Sequence, residues 1–176
     1  GAIFGFFYAP IVITGMHHSF TAVETQLLAD IATTGGSFIF PVAAMSNVAQ
    51  GAAALSVLLV LKKDNKMKGI ASASGISALL GITEPAIFGV NLKLRYPFYG
   101  AMIGTAVSSA YIMLTKVLAL APGAAGLPGI ISIRPDSMIN YIIGMAISMA
   151  VAVASTIILS KTTAKTTAKK NNLEVA

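Results

Sequence analysis

The chain has 176 residues, 56% of them hydrophobic and only 10% charged, and its mean hydropathy is +0.81. A water-soluble domain carries about 25% charged residues, and six acids with twelve bases cannot cover a globule of this size. A soluble enzyme, a disordered chain and a collagen-like chain all fit poorly. Sixteen glycines and seven prolines suit membrane helices, which hold more of both than soluble helices do. With no cysteine, disulfides, thiolate metal sites and cysteine nucleophiles drop out. The net charge of +6 does not form a nucleic-acid stripe. Four bases fall in Lys62–Lys68 and four in Lys161–Lys170, each group beside a long apolar run, which is the pattern of topogenic loops.

The chain opens without Met inside the apolar run Gly1–Met16 and has no basic n-region with a cleavage site, so it does not read as a signal peptide. It reads as part of a larger membrane protein, cut inside or just after a spanning helix. His17–Gly36 is polar and amphipathic. Ser37–Leu61 is uncharged for 25 residues, enough for a span of about 20 with some tilt. Next come the basic loop Lys62–Lys68 and a long apolar stretch, Gly69–Leu92, interrupted by Glu84-Pro85. A basic junction, Lys93–Tyr96, leads into Pro97–Ala121, whose one charge is Lys116. The Gly/Pro-rich loop Pro122–Asp136 precedes the uncharged Ser137–Ser160. The tail Lys161–Ala176 repeats Lys-Thr-Thr-Ala twice and reads as a disordered, solvated end or a linker to a further domain. No strand-period alternation survives a count, so the class is an all-α membrane protein with about three full transmembrane helices plus a truncated first one.

If both basic clusters are cytoplasmic, as the positive-inside rule expects, an even number of spans joins Lys68 to Lys161. Three apolar stretches lie between them, so one must enter and leave on the same side. Gly69–Leu92 fits best, being broken mid-way by Glu84-Pro85 and flanked by bases at both ends. It is expected to be a re-entrant hairpin from the cytoplasmic side. Pro97–Ala121 then goes out, Pro122–Asp136 is external and Ser137–Ser160 returns. By the same count Ser37 begins outside, and His17–Gly36 is expected to form a second hairpin from the opposite face. Two oppositely directed broken segments meeting near the midplane are a usual way to build a transporter's substrate site.

Glu84 is the chief candidate functional residue. A carboxylate inside a membrane segment is costly unless paired or hydrated, and so marks function by default. Pro85 suits the first turn of a new helix, which puts Glu84 near an N-cap where the helix dipole favours its charge. Capping alone would also explain it, and the two roles are compatible. In His17-His18 each imidazole can donate and accept hydrogen bonds, but no third histidine exists to make a metal site. An interfacial, helix-satisfied pair is the plainer alternative. Asn47 and Gln50 stand at i, i+3 with Ser46 and Gly51 alongside; such amides either tie helices together or touch a ligand. Lys93 and Arg95 sit where boundary bases are expected, and Arg134 and Asp136 need no special role. The glycines show neither a phosphate loop nor a dinucleotide fingerprint, and nothing indicates a cofactor.

The run Gly81-Ile82-Thr83-Glu84-Pro85-Ala86-Ile87-Phe88-Gly89-Val90-Asn91-Leu92, followed by Arg95-Tyr96-Pro97-Phe98, resembles the signature hairpin of enzyme IIC. That is the membrane permease of the bacterial phosphoenolpyruvate-dependent sugar phosphotransferase system, glucose–glucoside superfamily. Tyr8–Phe20 is similar to the family's histidine motif, and Phe40–Gly51 to its disaccharide branch, above all the sucrose and trehalose permeases, with sucrose favoured. The resemblance covers about residues 1–160. It implies the C-terminal, sugar-carrying half of the permease with two hairpins, the N-terminal half missing, and residues 161–176 as a polar cytoplasmic tail or linker. It also implies a bacterial inner-membrane location and a homodimer of the full-length protein among membrane lipids, with no nucleic acid. By the same resemblance Glu84 and the His17–His18 pair hydrogen-bond the sugar, with Thr83 beside it and Asn47 a further contact candidate. The implied chemistry is group translocation: enzyme IIB, charged through enzyme IIA, passes a phosphoryl group to a sugar hydroxyl. The family's donor is a phosphocysteine, which this cysteine-free chain does not carry. Glu84 or His18 is the candidate general base.

Two other classes compete. An ion-coupled transporter without phosphorylation would want paired intramembrane acids, and Glu84 is the one acid within an apolar stretch. A purely structural scaffold would not need a Glu-Pro break.

Overall fold

Three stretches far apart in sequence are stitched together by backbone hydrogen bonds. Ser37 and Ala119 exchange both N–H···O bonds, at 2.9 and 2.8 Å. Leu120 N–H reaches the Ser132 carbonyl at 2.8 Å, and Arg134 N–H the Leu118 carbonyl at 3.1 Å. In this computed structural model, which describes residues 1–61 and 64–174 (side chains only to residue 163), the small ladder ties together the ends of the long helices. Those helices are α4 (Ile39–Val60), α8 (Tyr96–Leu114) and α9 (Met138–Glu174). The start of α4, the end of α8 and the start of α9 therefore lie at one end of the bundle. Residues 61–95 leave from the other end and return to it. Among the described residues, α4, α8 and a stretch at Pro135–Thr163 are long and apolar enough to cross a membrane, and α1 (Ala2–Ile13) is a shorter apolar helix.

Burial ranks the spans. In its most apolar window α4 is 72% buried inside the protein, against 28% for the Pro135–Thr163 stretch. α4 is thus the central helix, while Ile139, Ile142, Ile143 and Ile158 of α9 face outward, as lipid-facing positions do. α8 and α9 approach through small residues. A Cβ on Gly104 would lie 2.8 Å from the Ala152 Cβ and 2.9 Å from the Ser148 carbonyl oxygen, and Gly100 faces Thr156 in the same way. Spacing by four keeps such residues on one face, which lets backbones close on each other without a hydrophobic driving force. Farther along the seam the Ser148 hydroxyl donates to the Met45 carbonyl of α4 at 2.8 Å.

Between α4 and α8 lie α5 (Asn65–Leu79) and a return arm. The arm starts as α6 (Glu84–Ala86), passes through a π turn at Ile87–Asn91 and ends as α7 (Leu92–Leu94). Asp64 caps α5, its carboxylate accepting from Met67 N–H at 2.9 Å. Of the basic cluster Lys62–Lys68, Lys62 and Lys63 lie outside the described residues.

Several expectations change. The stretch Pro97–Ala121 is helical only to Leu114: Lys116 takes a φ of 51°, and Leu118–Leu120 spend their backbone groups on the ladder. His17–Gly36 holds most of a 3-10 turn (Met16–Ser19), then α2 (Phe20–Ala29) and the single turn α3 (Ile31–Thr34). The tail is not unstructured over Lys161–Glu174, where the α9 backbone stays helical. That segment has no Gly or Pro, and its four Lys and two Ala are good helix formers, set against four Thr and two Asn, which are poorer ones. Val175 and Ala176 lie outside the described residues.

The α8–α9 seam yields a direct test. Gly104→Val should overpack it and cost about 1–3 kcal/mol, read as a lowered unfolding temperature of the protein in detergent. Ile139→Val on the outward face of α9 should leave that temperature unchanged.

Candidate functional site

α1 stops at Gly15, whose φ of 75° is left-handed, a conformation glycine adopts at no steric cost. Its N–H closes on the Val12 carbonyl at 3.0 Å. The 3-10 turn Met16–Ser19 follows and carries both histidines. Their rings lie 4.0 Å apart, centroid to centroid, tilted by 37°. Their surroundings differ: His18 is exposed, whereas His17 is half-buried with its Nδ1 out of water and without a partner. Burial lowers the His17 pKa and the neighbouring His18 lowers it further, while a backbone contact with Val12 and the negative charge of Glu84 pull it back. A neutral imidazole keeps one nitrogen as an acceptor. Glu84 is the smallest of these influences, and it lies within electrostatic reach of His17 though far from it in sequence.

The next helix is held by aromatic packing. Phe4 of α1 meets Tyr8, Phe20 and Phe38 edge to face, at 5.7, 5.4 and 6.4 Å. This fixes α2 beside α1 and opens a cavity of about 290 Å³ between α1, α2, α4 and the loop after residue 121. Its polar lining is Tyr8, His17, Thr21 and Glu24, against the rings of Phe20 and Phe40. Glu24 is half-buried, and its Oε1 accepts the Ser37 hydroxyl at 2.9 Å.

The broken hairpin approaches from the other end. α5 stops in a turn where Gly81 has a φ of 108° and Ile82 N–H returns to the Ser77 carbonyl at 3.0 Å. Thr83 is buried and N-caps the return arm, its carbonyl accepting Ile87 N–H at 2.9 Å. Glu84 stands in the first turn with Pro85, as the sequence predicts, and its side chain is exposed. The favourable end of the helix dipole thus sits at the carboxylate.

Asn47 joins the pieces. Its Nδ2 donates to the Ala125 carbonyl at 2.6 Å and lies 3.5 Å from the Gly81 carbonyl. The hairpin tip and the loop after residue 121 therefore meet beside one amide. That point is about 12 Å along α4 from its start and about 20 Å from its end, at 1.5 Å per residue. The helix-tying role uses the Asn47 nitrogen; its Oδ1 has no hydrogen bond among the described residues. Gln50, one turn on, holds the return arm. Asn91 Nδ2 donates to the Gln50 side chain at 2.6 Å and to its carbonyl at 3.0 Å, and both residues are buried.

The structure thus gathers His17, Glu84, Thr83 and Asn47 in one region, although only His17 of these lines the cavity. Sequence reasoning missed Tyr8, Glu24 and the inward dip of Pro122–Ala125. Thr21 and Glu24 share a helical face at i, i+3, and that spacing was the available signal. Replacing Asn47 by Ala should strand the Ala125 carbonyl and weaken the tip. The expected loss is about 1–3 kcal/mol in unfolding experiments, with Asn47→Asp no better because a carboxylate cannot donate.

Comparison with known proteins follows the same lines. The family model described as "Phosphotransferase system, EIIC" matches residues 1–106. The chain is 71% identical over 145 residues to the sucrose-specific EIIBC component of the PTS system of Vibrio alginolyticus, covering 82% of this chain and 30% of that protein. It is 53% identical over 141 residues to the sucrose-specific EIIBCA component of Pediococcus pentosaceus, covering 80% of this chain and 22% of the relative. The trehalose-specific EIIBC component of Bacillus subtilis (strain 168) is 50% identical over 146 residues, covering 83% and 30%. The chain spans less than a third of the length of these curated relatives. No solved structure matches it.

Proposed function

The chain belongs to the EIIC family of the phosphotransferase system, and on that premise we propose that it is the sugar-carrying part of a sucrose permease of the bacterial inner membrane. Residues 1–160 are the transport domain and 161–176 its polar cytoplasmic extension, within a full-length permease that is a homodimer among lipids. The observation that carries this reading is that Glu84, at a helix break, lies within electrostatic reach of His17, on a turn from another part of the chain. An acceptor-only carboxylate and an imidazole with one free nitrogen suit adjacent hydroxyls of a sugar.

In the proposed cycle sugar binds from outside to Glu84, Thr83 and His17, with Asn47 Oδ1 available to a further hydroxyl. The domain then turns the sugar inward. A phosphocysteine of EIIB transfers its phosphoryl group: the new O–P bond forms at a sugar hydroxyl as the S–P bond breaks. Glu84 or His18, both exposed, takes the hydroxyl proton, and positioning supplies most of the catalysis. EIIA recharges EIIB. The names of relatives that contain EIIB, or EIIB and EIIA, support these partners. They lend no support to an ion-coupled transporter without phosphorylation.

The hairpin of α5 and its return arm is proposed to re-enter from the cytoplasm. Support comes from the shared end at which residues 61–95 leave and return, and from the bases that flank them. Single cysteines at Lys66, Lys93 and Gly123 test this by labelling from each side: Lys66 and Lys93 should label from the cytoplasm. Opposite labelling of those two positions would show a full span.

Equilibrium binding to the full-length permease, across sucrose, trehalose and other glucosides, tests the substrate. Sucrose should bind tightest. Glu84→Gln keeps the shape but loses charge-assisted acceptance, worth roughly 1.5–3 kcal/mol per bond, and should abolish most binding while the protein still inserts. His17→Ala should cost about 1–3 kcal/mol, whereas His18→Ala should stay near wild type in binding. Wild-type affinity in Glu84→Gln would reduce Glu84 to a helix cap.

A further inference from the structure

The reading above assigns the sugar to Glu84, Thr83 and His17 and leaves the cavity behind His17 without a task. Resting on that reading, we propose that this cavity is a second saccharide subsite, which takes the ring remote from Glu84 and in which Glu24 accepts a hydroxyl of that ring.

Size is the first argument. The cavity is about 290 Å³, at the lower edge of the roughly 300–1,000 Å³ typical of small-ligand sites. It has room for one ring of a disaccharide rather than two. Composition is the second. Tyr8, His17, Thr21 and Glu24 line the cavity together with Phe20 and Phe40. A pyranose or furanose ring presents hydroxyls at its edge and C–H groups on its faces, so both kinds of wall are used.

Unspent hydrogen-bonding capacity is the third. Glu24 uses Oε1 on Ser37, and its Oε2 has no hydrogen bond among the described residues. His17 Nδ1 is buried and unpartnered. Buried polar atoms are normally satisfied, so the His17 nitrogen wants a partner, and the half-buried Glu24 lines the same cavity with an oxygen left to accept a hydroxyl. Rigidity is the fourth. Ser37, which holds Glu24, is fully buried and bonded through its own backbone to Ala119, so the carboxylate hangs from the ladder rather than from α2 alone. His17 lines the cavity and also feels the charge of Glu84. It is the residue common to the cavity of Glu24 and the reach of Glu84, so a disaccharide that meets both acids also meets His17.

The subsite distinguishes a two-ring sugar from a single ring, and the experiment asks whether Glu24 touches a hydroxyl. Full-length wild-type permease and Glu24→Gln are titrated with the tightest-binding disaccharide of the panel and with its monodeoxy analogues. Gln keeps the Ser37 bond, so the fold is retained. One analogue, lacking a hydroxyl on the remote ring, should bind wild type at least tenfold more weakly than the parent sugar but bind Glu24→Gln no more weakly than the parent. That cancellation isolates a direct contact, as a double-mutant cycle does, and a merely structural role would not produce it. Equal losses in both proteins for every analogue would overturn the subsite while leaving the permease reading intact. A wild type that binds no disaccharide would overturn both.

Discussion

A non-helical turn at membrane depth leaves carbonyls that no water can satisfy, and each must find a donor within the protein. Two non-helical turns meet in this molecule, at Gly81 and at Ala125: the Asn47 amide donates to the Ala125 carbonyl at 2.6 Å and lies 3.5 Å from that of Gly81. That one group brings the turn after α5 and the loop after residue 121 to the same point. Tyr141 extends the same arrangement, its hydroxyl donating to the Gly126 carbonyl at 3.0 Å. Glu84 is then delivered to the region of His17 by the backbone rather than by any contact of its own.

α4 acts as the spine of this arrangement. Its two amides, three residues apart, hold different parts of the hairpin: Asn47 takes the tip and Gln50 the return arm. The π turn at Ile87–Asn91 fits this role, since a locally widened helix often marks a functional position, and here it brings Asn91 onto Gln50. Neither amide acts by hydrophobicity, which has little force between helices surrounded by lipid. Close packing through small residues brings the backbones together, and the amides then select which approach is correct.

Much of this was legible in the sequence. Hydropathy marked the three long helices and the short first one, and Glu84-Pro85 marked the break, because a charge and a missing donor in an apolar run have few other uses. Counting bases predicted a re-entrant hairpin over Gly69–Leu92, which remains a proposal tested by labelling. What stayed hidden is what non-local pairing decides. Leu118–Leu120 is as apolar as any span, and only its partners at Ser37 and Ser132 make it extended. Glu24 looked like one polar residue of an amphipathic segment, since its proximity to Tyr8 and His17 arises from the Phe4 cluster and has no local signature. The difference between His17 and His18 was equally unreadable, because adjacent residues on a 3-10 turn take different surroundings for reasons that lie in α1 and α2.

The small ladder has a consequence for biogenesis. Its partners come from the start of α4, the segment after α8 and the loop before α9, so it cannot be complete until synthesis has passed Arg134. Until Ala119 is made, both backbone groups of Ser37 wait at the bundle end without their final partner. Glu24 waits as well, since the serine that holds it is anchored there. Closure of the ladder is therefore a late event in synthesis. A ribosome stalled before residue 118 would leave α4 and α8 made and the anchor of Glu24 unpaired.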